Sequence, residues 1–177
     1  MLDGIIFEPL AEYHDRAAFT CSGEEGAILQ DYLRNDARGP REHRKHVTTL
    51  HVMVQESAPS LICGYFTLSS ASLRIEELPK NIAKGLPKYR TMPAIRLGRM
   101  AIDDRFRGHD LGTLLIQEAF NIAVRLKDSV GFVAMLVDAK TDNLVNYYEQ
   151  RGFTRLPEAE RTLFIMQPTM EQILSAS

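Results

Sequence analysis

The chain has 177 residues, 45% of them hydrophobic and 25% charged, and two cysteines, which is typical of a globular protein without a disulfide framework. Its formal net charge of −2 excludes a global attraction to nucleic acid or to anionic membranes, so any such binding requires a local basic patch. No run approaches the ~18 to 20 apolar residues of a membrane span, and the first ten residues carry acids where a signal peptide needs bases; we therefore expect a cytoplasmic protein without a membrane partner.

The first half of the chain is predicted to form one helix and one pair of strands. Residues 22–37 have the spacing of an amphipathic helix, and Ser22 and Glu25 have the spacing of a capping box at its start. The apolar runs at 49–55 and 60–73 indicate an antiparallel strand pair. The segment between the predicted helix and the first predicted strand, residues 38–48, is rich in basic residues.

The second half of the chain is predicted to alternate strands and helices after a proline- and lysine-rich connection. Strands are predicted at 94–103, 131–139 and 164–170, and helices at 111–127 and 141–150, the second helix ending with Gly152 in the C′ position. This order predicts an α/β (α+β) fold in which a mixed sheet carries helices on its faces. We find no linker or repeat, so we expect a single domain over residues 1–177.

The corner between the strand at 94–103 and the helix at 111–127 has the sequence Arg-Gly-His-Asp-Leu-Gly over residues 107–112. A strand that turns directly into a helix leaves the first helical N–H groups unpaired, and the positive end of the helix dipole lies behind them. Such a corner suits a phosphate, and Arg105 and Arg107 could add charge-assisted contacts. A solvated loop without a ligand explains the hexapeptide equally well.

The hexapeptide resembles the acetyl-CoA pyrophosphate loop of the GNAT superfamily of N-acetyltransferases, which follows the pattern Arg/Gln-x-x-Gly-x-Gly/Ala. The middle glycine of the family falls on Asp110, whose carboxylate would lie near a diphosphate. The resemblance implies a GNAT fold, with a central mixed, mostly antiparallel sheet, helices on both faces and a splayed strand pair that holds acetyl-CoA. It implies acetyl-CoA as the cofactor and no metal, with these cofactor-binding residues: Met100, Ala101, Ile102, Arg107, Gly108, His109, Asp110, Leu111 and Gly112.

A second block of the chain, residues 137–153, resembles the last part of the GNAT pattern, which ends in aromatic-Tyr-Glu-x-x-Gly-Phe. The resemblance places Tyr148 on the catalytic tyrosine that protonates the departing thiolate. Independently of the family, a positioned phenol is a suitable group for that step, although a tyrosine on a short amphipathic helix is also a common core residue. Thr141 stands where many relatives have an asparagine that contacts pantetheine.

A narrower resemblance, over residues 5–167, is to the acetyltransferase toxins of bacterial toxin–antitoxin pairs. It implies that the acceptor is the amino group of aminoacyl-tRNA, that an antitoxin is a protein partner, and that the chain forms a homodimer. Thr20 and Ser22 depart from the aspartate and glycine that are common in those relatives.

Basic residues in two segments are the candidates for binding this acceptor, because phosphates require local positive charge. A solvated helix end and a flexible lysine-bearing loop would show the same pattern. The predicted acceptor-binding residues are Arg34, Arg38, Arg41, Lys88, Arg90 and Arg99.

Two other functions fit the same residues. The chain could acetylate a small-molecule amine or a peptide N-terminus, in which case added tRNA would not affect turnover. Because of Asp110, it could also be a non-catalytic GNAT-like module that binds proteins.

Overall fold

The computed structural model describes residues 4–177. Within this range the chain forms seven strands and six helices, with two single 3₁₀ turns at Ile75–Glu77 and Asp104–Phe106. In chain order the elements are β1 Ile5–Pro9, α1 Glu24–Arg34, α2 Gly39–Arg44, β2 Thr49–Gln55, β3 Ala58–Arg74, α3 Lys80–Ala83, β4 Thr91–Ile102, α4 Leu111–Leu126, β5 Ala134–Asp138, α5 Asp142–Glu149, β6 Thr154–Leu156, β7 Ala159–Met166 and α6 Gln167–Ser175.

The strands form one sheet of order β1-β2-β3-β4-β5-β7-β6. The pairs β1–β2, β2–β3, β5–β7 and β6–β7 are antiparallel, and β4–β5 is parallel. The predicted mixed, mostly antiparallel sheet with helices is therefore confirmed.

The chain divides into two compact units, one of residues 1–69 and 98–119, the other of residues 70–97 and 120–177. Each of β3, β4 and α4 begins in one unit and ends in the other. The single domain over residues 1–177 stays a prediction.

The first unit buries an aromatic and aliphatic core between α1 and the strands β2 and β3. Phe19, Tyr32 and Tyr65 lie in this core, with Tyr65 in ring contact with both of the others. The Tyr65 hydroxyl donates a hydrogen bond to the Leu29 carbonyl at 2.7 Å, which ties the end of the buried ring to α1. Burial of these rings helps to hold α1 against the strands.

The second unit has its own core, formed by residues of β3, β4, β5, β6 and β7 and by Leu78. Leu73, Leu136 and Phe164 are among its buried members, and Ile82 and Leu86 pack against it from the segment around α3. β5 lies between β4 and β7, and its successive residues Ala134–Val137 are all buried, so both faces of the strand are covered. This burial explains why its sequence is an unbroken apolar run.

The predicted capping box at Ser22 and Glu25 is wrong. Gly23, with φ 88°, occupies the N-cap position of α1, and no side chain caps the helix there. The Ser22 hydroxyl instead donates to Asp104 Oδ1 at 3.1 Å. A long-range carboxylate therefore takes the hydroxyl that the local pattern assigned to the helix.

The end of the chain also differs from the prediction. The strand predicted at 164–170 ends at Met166, and α6 begins at Gln167, because Pro168 in the first turn suits the start of a helix. β4 starts at Thr91, before the predicted residue 94, and β5 covers only Ala134–Asp138 of the predicted 131–139. β1, α2, α3, β6 and α6 were not predicted, since each is short or lacks a full hydrophobic period.

The two predicted helices of the second half have the expected ends. α4 runs from Leu111 to Leu126. After α5, Phe153 N–H donates to the Tyr148 carbonyl and Gly152 N–H to the Glu149 carbonyl, both at 3.2 Å, which is the hydrogen-bond pattern of a Schellman motif. Gly152, with φ 96°, supplies its left-handed residue, as predicted. None of the helices in residues 4–177 is long and apolar enough to cross a membrane.

Candidate active site

Residues 103–112, here called the corner loop, connect β4 to α4. Two of its residues have positive φ, Gly108 at 84° and Asp110 at 52°. The backbone N–H groups of Gly108, His109, Leu111 and Gly112 donate no hydrogen bond within residues 4–177. Four unpaired donors at the N-terminus of a 16-residue helix form a site suited to a phosphate or another anion.

The side chain of Asp110 is held at this helix terminus. Its Oδ1 accepts a hydrogen bond from the Thr113 hydroxyl at 2.8 Å, and its carbonyl accepts from the Thr113 N–H at 3.1 Å. Aspartate adopts left-handed backbone angles more readily than most residues, so the loop keeps the turn that a glycine would allow. A ligand's negative charge would nevertheless meet this carboxylate nearby.

The corner loop is fixed from within by Asp103, whose side chain is fully buried. Asp103 accepts two hydrogen bonds from the Arg105 guanidinium, at 2.7 and 2.8 Å, and one each from the Arg105 and Thr20 N–H groups, at 2.9 and 2.8 Å. Burial pushes the pKa of Asp103 upward, but these donors outweigh burial and leave the pKa below its ordinary value. Arg105 also donates to the Ala18 carbonyl at 3.0 Å, so its guanidinium serves structure.

Asp104 forms an ion pair with Arg107, as Asp103 does with Arg105. Its Oδ1 lies 2.9 Å from Arg107 Nε and accepts hydrogen bonds from the N–H and hydroxyl of Ser22, both at 3.1 Å. Arg107 Nη2 contacts the Ser22 carbonyl at 3.4 Å and Cys21 Sγ at 3.5 Å. Among the residues that the structure describes, Arg107 Nη1 has no hydrogen-bond partner, so this one edge of the guanidinium can still bind an anion.

The predicted residues Met100, Ala101 and Ile102 lie in the last part of β4. Pairing of β4 with β5 runs from Ala94 with Ala134 to Leu97 with Val137, and β4 continues five residues beyond it. In the first unit, Arg99 N–H donates to the Thr67 hydroxyl at 2.9 Å, and a Cβ at Gly98 would lie 2.5 Å from that oxygen. A side-chain hydroxyl thus serves as the acceptor for one main-chain N–H in this part of β4.

Tyr148 lies on α5 in the second unit, with 5% of its surface exposed. The rings of Tyr147 and Phe153 meet it edge-on, each with a centroid distance of 5.5 Å. Its hydroxyl makes no hydrogen bond within residues 4–177. Burial is the main cause that raises the pKa of Tyr148, so the phenol keeps its proton at neutral pH and remains a proton donor.

Thr141 is the N-cap of α5, where its hydroxyl oxygen accepts from the Leu144 N–H at 3.2 Å. The hydroxyl proton remains available, so a capping role and a contact to a ligand are compatible. The position at the helix start explains the residue without a ligand as well.

Four of the predicted acceptor-binding arginines belong to the first unit, and three of them have internal partners. Arg34 Nε donates to the Phe19 carbonyl at 2.8 Å, and Arg38 Nε lies 3.1 Å from an Asp31 carboxylate oxygen. The Arg99 guanidinium lies 4.3 Å from the centre of the Tyr32 ring. The side chain of Arg41 is exposed and has no ion-pair partner in the described part of the chain.

Lys88 and Arg90 belong to the second unit, in residues 84–90, here called the basic loop. Both side chains are exposed, and neither forms an ion pair with a described residue. Their charges are therefore available to a partner.

Sequence reasoning missed Asp103 and Asp104, which connect the corner loop to residues 18–22. The signal was present in the succession of two acids and two arginines over residues 103–107. It could not be interpreted without knowing that residues 18–22 lie next to this loop.

Comparisons with known proteins identify similar chains. Residues 80–168 match the family model described as the acetyltransferase (GNAT) domain. A protein named probable toxin TacT from Sinorhizobium fredii is 25% identical over 177 residues, with 96% of this chain and 94% of that protein covered.

Two further relatives carry informative names. A tRNA-acetylating toxin from Mycobacterium tuberculosis is 28% identical over 148 residues, with 84% of this chain and 83% of that protein covered. The solved structure titled "AtaT complexed with acetyl-methionyl-tRNAfMet" superposes with a TM-score of 0.85 at 26% identity, covering 96% of this chain and 98% of that chain.

Proposed function

Because this chain belongs to the acetyltransferase (GNAT) domain family, we propose that it transfers the acetyl group of acetyl-CoA to the amino group of aminoacyl-tRNA and so inhibits translation. The observation that carries the proposal is the set of four unpaired N–H groups in the corner loop, which suits the diphosphate of the cofactor. The names of its relatives from S. fredii and M. tuberculosis support the choice of a toxin and of this acceptor.

In this mechanism acetyl-CoA supplies the acetyl group as an activated thioester. The corner-loop residues Arg107–Gly112 would bind the diphosphate. The main-chain groups of Met100, Ala101 and Ile102 would hydrogen-bond to pantetheine, and the Thr141 hydroxyl would donate a hydrogen bond to the same arm. Holding the amine next to the thioester accounts for most of the rate enhancement. In well-aligned cases this positioning lowers the activation free energy by on the order of 7 to 11 kcal/mol.

Tyr148 would donate its phenolic proton to the sulfur as the C–S bond of the thioester breaks and the N–C bond of the amide forms. The amine would release its proton to water, and water would reprotonate Tyr148, so that no net proton is consumed. The α-amino group of an aminoacyl ester needs little help from a base, since an α-amino group has a pKa near 8 and esterification lowers it further.

Acceptor binding is assigned to Arg34, Arg38, Arg41, Lys88, Arg90 and Arg99. Their contribution is expected to be unequal, because Arg34 and Arg38 already have internal partners. A cytoplasmic location, one catalytic domain over residues 1–177, a homodimer and an antitoxin partner complete the proposal.

The test is transfer of radiolabelled acetyl from acetyl-CoA to purified aminoacyl-tRNA. We expect the wild-type chain to label aminoacyl-tRNA and not deacylated tRNA, and Tyr148→Phe to lower kcat about 100-fold or more. Tyr147→Phe is the matched control, because the neighbouring ring packs against Tyr148 and its loss of a hydroxyl should leave kcat nearly unchanged. Equal labelling of small amines or peptides, with no preference for aminoacyl-tRNA, would contradict the proposed acceptor.

A further inference from the structure

The basic loop presents an aromatic ring to solvent. Tyr89 has 69% of its surface exposed, more than any other large hydrophobic residue between 4 and 177. Its side chain has no ring contact or hydrogen bond within that range. Leaving the ring exposed gives up the free energy that its burial would contribute, so packing does not explain this residue.

The basic loop is held by the packing of its own Leu86 and of the two residues Ile82 and Ala83 that precede it. These three residues pack against the core of the second unit. The backbone is tied as well, since Tyr89 N–H donates to the Pro87 carbonyl at 2.9 Å and the Arg90 carbonyl accepts from Ile75 N–H at 3.1 Å. The ring is therefore displayed from a fixed backbone.

The surroundings of Tyr89 are positive. Lys84, Lys88 and Arg90 are exposed and lack ion-pair partners in the described part of the chain. No acid occurs between residues 78 and 102, and the two preceding glutamates, at 76 and 77, are bound by Arg74. The charges of the basic loop are thus not neutralised locally.

A cation, an aromatic ring and a second cation follow one another at residues 88–90. Single-stranded nucleic acids are bound by this combination, because the ring stacks on a base while the cations contact the phosphates on either side. Building on the proposed function, we propose that Tyr89 stacks on an unpaired base near the aminoacylated 3′ end of the tRNA, with Lys88 and Arg90 on the flanking phosphates. An acidic protein segment would pair with the same cations, but the order of ring and charges favours a nucleic acid.

The test compares acetylation of aminoacyl-tRNA with acetylation of the ethyl ester of the same amino acid, which has the amine and no bases. We expect Tyr89→Leu to raise the KM for aminoacyl-tRNA about 5- to 150-fold, with kcat and the ester reaction unchanged. Tyr89→Phe keeps a stacking face and should behave as wild type. Tyr13→Leu is the matched control, since Tyr13 is also exposed but its ring lies against His14 and its hydroxyl on Glu8.

Each other outcome has a distinct meaning. If Tyr89→Leu leaves the KM for aminoacyl-tRNA unchanged, the inference is overturned and the proposed function stands. The same holds if the KM is unchanged but the variant binds an acidic protein partner more weakly. Equal loss with both acceptors assigns Tyr89 a structural role and overturns it too, as does a Tyr89→Phe variant that resembles Tyr89→Leu. A wild-type chain that does not acetylate aminoacyl-tRNA overturns the proposed function and this inference with it.

Discussion

In the corner loop both arginines lie beside a carboxylate, whereas the three cations of the basic loop have none among the described residues. Arg105 is bound to buried Asp103, and Arg107 retains one edge beyond its contact with Asp104. Most of the positive charge of the corner loop is therefore paired with carboxylates of the loop itself. The groups left to attract an anion are mainly backbone N–H groups. The basic loop keeps its charge for a partner.

This difference shows why a count of basic residues does not measure available charge. Arg34 and Arg38 lie in a segment as basic as the basic loop, yet their guanidinium groups contact the Phe19 carbonyl and Asp31. Five predictions test whether internal pairing distinguishes the arginines of the corner loop from the cations of the basic loop.

The largest expected effect is on stability. Asp103→Ala should lower the free energy of unfolding by about 3 kcal/mol, because it leaves the Thr20 N–H and the Arg105 guanidinium without their acceptor. Asp36→Ala is the matched control, since Asp36 also binds two arginines but is exposed, and it should lower the free energy of unfolding far less. Urea unfolding measures both, and equal losses would contradict internal fixation of the corner loop.

The same carboxylate predicts a pH dependence. The folded pKa of Asp103 lies below its ordinary value of 3.8, so its stabilising effect is complete above that value and is lost as the pH falls through the folded pKa. The stability advantage of wild type over Asp103→Asn should therefore shrink on acidification. A constant difference at all pH values would contradict this sign.

The second effect concerns the cofactor. Arg107→Ala should raise the Kd for acetyl-CoA about 10- to 100-fold, as expected for the loss of a charged hydrogen bond to a phosphate. Arg90→Ala, in the basic loop, should leave this Kd unchanged. Calorimetric titration distinguishes the two loops, and a similar loss in both variants would remove the distinction.

The third effect concerns the acceptor. The double variant Lys88→Ala/Arg90→Ala should raise the KM for aminoacyl-tRNA about tenfold and reduce the salt dependence by the equivalent of about two phosphate contacts. Arg38→Ala should have a smaller effect, because the charge of Arg38 is already paired with Asp31. A larger effect at Arg38 would mean that pairing in the free protein does not predict availability.

The smallest effect is expected at Asp110. Asp110→Gly should tighten acetyl-CoA binding only a few-fold, since the removed charge lies at the solvent-exposed end of α4. Asp110→Asn removes the same charge and keeps a side-chain oxygen for the Thr113 hydroxyl, so both variants should tighten binding alike. Tighter binding by glycine alone would show that backbone shape, not charge, limits affinity. Binding that appears only in Asp110→Gly would instead support the non-catalytic module.

Several features followed from local sequence. Hydrophobic spacing predicted the β2–β3 pair and α4, and Gly152 predicted the end of α5, because period and backbone conformation are properties of neighbouring residues. The motif at Arg107–Gly112 predicted the GNAT family, which the match of residues 80–168 confirms. The left-handed angle of Asp110 agrees with the readiness of aspartate to adopt such backbone angles.

What only the tertiary structure decided are the contacts between segments distant in sequence. Ser22 was assigned to a capping box but donates to Asp104, 82 residues away, because a carboxylate brought close by folding competes with a local helix cap. The availability of an arginine to a partner is decided in the same way. It depends on which carboxylate or carbonyl group folding places beside the guanidinium. The sequence alone therefore determined the family and the order of the main elements, and the fold decided which basic residues remain available to bind a partner.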